Sequence, residues 1–189
     1  MSQQNDAEIV RAVLAGDKDR YALLIDRYSA SIINYLARMT GSRWEGEELA
    51  QQTFVRAYFA LDSYKPQYKF STWLFKIATN LCINHLKKRQ RLIHMDDYRN
   101  EDGESAWVLP DTRPTGDPVA TAERREMQQQ IQDAINRLPE EYRSAIILRY
   151  LHGLSYQEIA AVLDLPIGTV KSRIGRGRSR LIAALRGRV

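Results

Sequence analysis

Five cations recur in a short stretch near the C-terminus: Lys171, Arg173, Arg176, Arg178 and Arg180. Ammonium and guanidinium groups carried on one helix face bind phosphate oxygens, and a bidentate arginine can also read a base edge. The segment that must hold them runs from Leu154 to Arg180 as LSYQEIAAVLDLPIGTVKSRIGRGRSR. Ser155 and Glu158 have the spacing of a capping box, in which a hydroxyl and a carboxylate satisfy the orphan amides of a helix start. A helix is therefore predicted from Ser155, with Ile159, Ala160 and Leu163 as its inner stripe. Asp164, Leu165, Pro166 and Gly168 interrupt it, and Thr169 is expected to cap a second helix whose Val170, Ile174, Leu181 and Leu185 face inward. This is the pattern of a helix-turn-helix, which lays its second helix in a DNA major groove. A merely solvated helix face is the alternative. No acidic residue follows Lys171, so the i,i+4 ion pairs that accompany such a face are absent from this helix, and a polyanion is the better partner.

The rest of the composition narrows the chemistry. The 189 residues carry 28 Lys+Arg against 23 Asp+Glu, a net charge of +5 that suits a polyanion without requiring one. No apolar run approaches the roughly 18 residues that cross a bilayer, and the start MSQQNDAEIV lacks a basic-then-apolar signal. A cytoplasmic protein without direct membrane insertion is expected. Cys82 is the single cysteine, so no internal disulfide or multi-cysteine zinc site can form, and it reads as a small core residue. His85, His94 and His152 are scattered, without metal-ligand spacing. Neither a phosphate loop nor a nucleophile with its base is visible. No enzymatic activity, metal, cofactor or small-molecule substrate is expected.

Residues 91–117 divide the chain. Asp96, Asp97, Glu101, Asp102, Glu104, Asp111 and Asp117 face only Arg91, Arg99 and Arg113, amid Pro110, Pro114, Pro118, Gly103 and Gly116. Such a segment reads as a flexible acidic linker, with Trp107, Val108 and Leu109 as a small apolar island. Before it, apolar residues at spacings of three and four predict helices near Ala7–Ala15, Asp19–Met39, Trp44–Leu61 and Phe70–Gln90. After it, helices are predicted near Val119–Arg137 and Pro139–Leu151, then the helix-turn-helix. The expected fold is all-α: a four-helix bundle over 1–90, the linker over 91–117, and a four-helix unit over 118–189.

Four stretches then carry a family resemblance: GDKDRYALLIDRY at Gly16 to Tyr28, GEELAQQTFVRAYFALDSY at Gly46 to Tyr64, KFSTWLFKIATNLCINHLKKR at Lys69 to Arg89, and the segment from Leu138 to Leu181. In this order they resemble the extracytoplasmic-function (group 4) sigma factors of the sigma-70 family, the minimal form with only the second and fourth sigma regions. The resemblance implies a subunit that binds core RNA polymerase, directs it to minus-35 and minus-10 promoter elements and promotes DNA opening, in a stress or envelope-signal response. It implies that Glu47, Glu48, Gln51 and Gln52 contact core polymerase. A solvated helix face is the plainer reading of those four, and the family usually has Glu where Gln52 stands.

For the minus-10 element the resemblance implies Tyr64, Lys65, Tyr68, Lys69, Phe70, Trp73, Lys76, Asn80 and Asn84, with Lys87, Lys88, Arg89 and Arg91 on phosphates of the upstream duplex. The loop from Asp62 to Lys69 would hold a flipped base; cations follow the backbone, rings stack on bases and the two amides read edges. Trp73 and Phe75 fit bundle core at least as well. For duplex minus-35 it implies Arg173 and Arg176 as leading groove contacts, with Lys171 and Ser172 beside them. Arg178 and Arg180 would meet phosphates, as would amides near Ser155 and Thr169. Gly175 and Gly177 depart from the family's larger residues, which would either soften the helix or permit close approach to DNA. An anti-sigma factor, holding the protein at the inner membrane face, is a further implied partner. Two rivals remain open on sequence: a stand-alone helix-turn-helix regulator, and an adaptor whose basic face meets an acidic protein.

Overall fold

The structure is a computed structural model and describes residues 5–96 and 118–186. Eight α-helices and two short 3-10 turns make up the described residues, without a strand. Helix α1 spans Asp6–Leu14 and is capped by Asn5, whose side chain accepts from the Ala7 amide. Its Ile9, Val10 and Val13 are buried, the three-and-four spacing that defines an inner face. Helix α2, Tyr21–Thr40, follows the 3-10 turn Lys18–Arg20 and ends at Gly41, whose φ of 79° is one that glycine adopts without strain. Helix α3, Arg43–Phe59, begins at Ser42, whose hydroxyl accepts from the Glu45 amide.

Helices α2 and α3 touch backbone to backbone. A β-carbon built on Gly46 would lie 2.7 Å from the Ala37 amide nitrogen, so only glycine permits this crossing. The Tyr21 hydroxyl locks the other end by donating to the Phe54 carbonyl at 2.7 Å. After the 3-10 turn Leu61–Ser63 comes α4, Phe70–Asp96, which crosses the bundle through buried Leu74, Phe75, Ala78, Cys82 and Leu86. It runs past the predicted end at Gln90 and takes the first residues of the expected linker. The rest of that acidic segment, with its Trp107–Leu109 island, lies outside the described residues.

The second unit comprises α5, Pro118–Asn136; α6, Glu140–Tyr150; α7, Tyr156–Leu163; and α8, Ile167–Arg186. The capping box forms as predicted: Ser155 and Glu158 bond reciprocally at the start of α7. Helix α8 starts earlier than expected, at Ile167. Thr169 is thus inside the first turn, its amide already bonded to the Pro166 carbonyl at 2.9 Å. Proline suits this place because its missing N–H would be an orphan there.

The two units also pack against each other. The His152 ring, in the turn after α6, lies 5.8 Å from the Tyr35 ring of α2 and 4.9 Å from the Phe75 ring of α4. Arg143 on α6 donates to the Met39 carbonyl at the end of α2 at 2.6 Å, and Arg38 donates to Gln132 at 2.9 Å. Buried residues of both units accordingly form one continuous cluster.

The helical glycines separate by what they face. At Gly177 a β-carbon would sit 2.8 Å from Ile146 Cγ1, whereas at Gly175 it would meet nothing within 4 Å. Gly46→Ala should destabilise the protein by about 1 to 3 kcal/mol through overpacking, more than helix propensity returns. Gly175→Ala should instead stabilise it by about 0.5 to 1 kcal/mol. Urea denaturation midpoints of the two variants check both signs.

Candidate nucleic-acid interface

Position along α8 sorts its cations. Val170 and Ile174 are buried, and Gly177 joins them against α6. Arg173 lies on the flank of that seam, its guanidinium 3.4 Å from Glu141 on α6, while Arg180 stacks 4.9 Å from the centre of the Tyr142 ring. The opposite face carries Ser172, Gly175, Arg176 and Ser179, all exposed, with Lys171 and Arg178 beside it. Spacings of three and four align these four residues in one row, with bare backbone at Gly175 in its middle. Arg176 is the guanidinium aimed outward from this row, and Arg173 shares its charge with Glu141. The ion pair absent along α8 itself is supplied from across the seam.

Two expected phosphate donors are withdrawn. The Ser155 amide gives its proton to Glu158 Oε2 at 2.8 Å, and the Ser155 hydroxyl oxygen accepts from the Glu158 amide at 3.2 Å. Thr169 spends its amide on Pro166. Both amides serve helix starts, while side chains of α8 stay exposed.

The second cluster lies on α4 and the segment before it. Trp73, Lys76, Asn80, Asn84 and Lys87 recur at three-and-four spacing; Asn80, Asn84, Lys87, Lys88 and Arg89 are exposed. Arg89 reaches Glu45 at 3.3 Å, and Glu45 also meets His85 at 3.3 Å. Lys65 and Tyr68 are exposed in the preceding segment. Phe70 is not available for stacking: it is 1% exposed, wedged against Tyr28, Tyr64 and Trp73. Tyr64 is also buried and gives its hydroxyl proton to the Tyr68 carbonyl at 2.8 Å. A ring at a helix start looks alike in sequence whether it enters the core or meets a base, and here the core claims Phe70. Trp73 is half-buried and Phe75 is core.

Both clusters meet across the seam. Lys69 pairs with Glu158 of α7 at 2.8 Å, and Lys76 lies 3.7 Å from Asp164 in the turn. The Lys69 ammonium, ahead of the Ser155 bonds, holds the Glu158 carboxyl below the usual range against the opposing effect of partial burial. Cys82 is sealed in the core, where burial pushes its thiol up to about 12.

On α3, Glu48, Gln51 and Gln52 are exposed, with the Gln52 amide donating to Glu48 at 3.4 Å; Glu47 is tied to Arg43 at 2.6 Å. Val55 and Phe59 continue this stripe and are 56% and 80% exposed. Their i+7 and i+11 spacing from Glu48 is the signal that could have revealed them.

Comparison with known proteins decides the family. The Sigma-70 region 2 family matches residues 24–92, and the Sigma-70, region 4 family matches residues 128–181. The extracytoplasmic-function sigma factor SigW of Bacillus subtilis is 38% identical over 180 residues, 94% of this chain and 95% of that protein. This chain belongs to the extracytoplasmic-function sigma factors. The sigma-E factor of Escherichia coli is 37% identical over 185 residues, covering 96% of this chain and 95% of its own. Among solved structures, the Bartonella quintana sigma factor RpoE in complex with the anti-sigma factor NepR superposes with a TM-score of 0.72. It is 27% identical, covering 88% of this chain and 96% of that one.

In this sigma factor the seam between the two units contains a titratable group. Burial first, and then the charge of Arg38, push the His152 imidazole down to about 4. Its Nε2 is buried without a hydrogen-bond partner. An imidazole released to water titrates near about 6.5, so between these values the separated arrangement binds more protons. The docked arrangement should therefore weaken as pH falls from about 6.5 toward 4 and be indifferent above that window. A donor and acceptor fluorophore placed on the two units should report separation on acidification, and His152→Phe should flatten the response.

Proposed function

We propose that this sigma factor binds core RNA polymerase through the exposed stripe of α3, with Glu48, Gln51 and Gln52 extended by Val55 and Phe59. It directs polymerase to a two-part promoter. The row Ser172, Gly175 and Arg176 of α8 enters the major groove of the minus-35 element, while Lys171, Arg173, Arg178 and Arg180 steer and hold phosphates. Asn80 and Asn84 read the melted minus-10 strand, Tyr68 and Trp73 offer faces for stacking, Lys65, Lys69 and Lys76 follow its backbone, and Lys87, Lys88 and Arg89 hold phosphates of the upstream duplex. The observation that carries this reading is that a chain of this family keeps two separate polyanion-suited faces exposed, one on α4 and one on α8.

The seam adds a requirement. Lys69 and Lys76 are engaged by Glu158 and Asp164 when the units are docked, so phosphate competes with these carboxylates. Ion pairs of this exposure contribute about 0 to 1 kcal/mol each, an amount that DNA phosphates readily replace. Binding to polymerase and a two-part promoter draws the units apart, and the tether between them raises the effective concentration of each reader for its element. The protein acts in the cytoplasm, where polymerase and promoter meet. An anti-sigma factor, the kind of partner bound to the Bartonella quintana protein, would act by covering the polymerase-binding face.

Sequencing the transcript starts made by core polymerase with this protein tests the proposal. Discrete starts preceded by a shared pair of elements are expected, and starts identical to those of core alone would overturn it. Arg176→Ala should weaken minus-35 recognition by about 1 to 3 kcal/mol, read as promoter affinity against altered minus-35 sequences. Asn80→Ala should change the minus-10 preference while leaving polymerase affinity intact.

A further inference from the structure

Helix α6 touches two cations of α8 from a single helical turn. Glu141 and Tyr142 are consecutive in the first turn of α6, just after its N-cap Pro139. Glu141 Oε2 meets Arg173 Nη2 at 3.4 Å, and the Arg180 guanidinium lies 4.9 Å from the centre of the Tyr142 ring. Seven residues separate the two arginines, so they share one flank of α8 about 10 Å apart along its axis. A β-carbon at Gly177, between them, would lie 2.8 Å from Ile146 and 3.3 Å from Tyr142, so glycine lets the helices close up beside this turn. Arg176 lies on the exposed row of α8, away from α6. The acid and the ring of α6 therefore engage the flank of α8 and leave the reading row alone.

An acid in the first turn of a helix also suits the helix dipole, a role that would leave α8 untouched. The distance to Arg173 gives Glu141 a second role. Arg173 meets Glu141 through one terminal nitrogen and keeps Nε and Nη1, donors whose fixed fork suits a phosphate. We propose that Glu141 is a positioning residue for minus-35 binding: it holds Arg173 on the α6 flank of α8, where this guanidinium meets a backbone phosphate in line with Arg180 while Arg176 reads bases. The proposal rests on the minus-35 reading above and adds to it a residue outside the helix-turn-helix. Two effects of the carboxylate oppose each other. Ordering a free arginine at an interface weakens binding by about two- to tenfold, which the standing ion pair avoids. Repulsion between the carboxylate and a phosphate beyond the guanidinium, acting through solvent and salt, is screened to about twofold or less. Positioning wins, so the acid strengthens binding to a polyanion.

The test measures promoter affinity of the full chain in holoenzyme across a series of salt concentrations and minus-35 sequences. Arg173→Gln should weaken binding alike for every minus-35 sequence and lower the slope of log affinity against log salt by about one, the signature of a lost phosphate contact. Glu141→Gln, which keeps the length and shape of the side chain, should weaken binding by about threefold and leave the ranking of minus-35 bases as it is. In the Arg173→Gln background the same change should alter affinity by less than about 1.5-fold, because a residue that acts through another has no effect once that other is gone. Uncharged methylphosphonates substituted one at a time in the minus-35 backbone should reveal one phosphate whose replacement weakens the wild type and not Arg173→Gln. Equal losses from Glu141→Gln in both backgrounds would confine Glu141 to the start of α6 and overturn the proposal. Unchanged or tighter binding by Glu141→Gln, or a shifted base ranking in Arg173→Gln, would overturn it too. A wild-type holoenzyme indifferent to every minus-35 substitution would overturn the minus-35 reading itself, and this proposal with it.

Discussion

Arg143 reaches from α6 to three backbone carbonyls: Met39 near the end of α2, Asn136 at the end of α5, and Leu138 in the turn between α5 and α6. Burial lowers its guanidinium pKa, the expected direction for a cation taken out of water. Carbonyl oxygens replace part of the lost solvation, and they come from both units. The end of α2, the α5–α6 turn and the face of α6 are thereby held in one geometry. The placement of His152 against Tyr35 and Phe75 follows from it, and so does that of α7 over α4. The Arg143 Nε is buried without a partner, so the charge is held by its two terminal nitrogens, and such a charge is costly to separate only while no other polar group or water replaces their partners.

The seam joins apolar and charged contacts of different kinds. His152, Tyr35 and Phe75 exclude water near its centre, while Lys69–Glu158 and Lys76–Asp164 lie near solvent. The outer pairs contribute little to stability, yet they occupy two cations suited to a nucleic-acid backbone. In the proposed function, docking and polyanion binding draw on the same lysines. The face of α8 that carries Arg176 escapes this competition because α6 packs against its other side, at Gly177.

Local signals in the chain were read with little loss. The Ser155–Glu158 box and the helical spacing of α2 and α6 depend on neighbours within a turn or two, whereas in α7 Val162 is buried with Ile159, and Ala160 and Leu163 are only half-buried. Boundaries moved where a local cue was misjudged: Pro166 rather than Thr169 opens α8, and α4 continues beyond Gln90. Site residues were harder. Phe70 has the composition of a stacking platform and the position of a core ring, and burial against Tyr28 and Tyr64 decides the matter. Arg173 and Arg176 are indistinguishable by type, but only Arg173 has Glu141 within reach. Gly177 serves the approach of Ile146 rather than of DNA, a distinction that needs the neighbouring helix. The exposure of Val55 and Phe59 was not legible because apolar residues on a bundle helix are ordinarily assigned inward.

The sequence by itself determined the helical fold, the two-unit plan, the cationic character of α8 and the family, because each rests on local periodicity or on motifs in order. Tertiary structure alone decided which aromatic rings are core and which guanidinium points outward. It also brought Asp6 beside Tyr28 across 22 residues and Lys69 beside Glu158 across the two units. Such contacts depend on how faces meet, and the periodicity of a single helix marks its inner face without naming the partner that covers it.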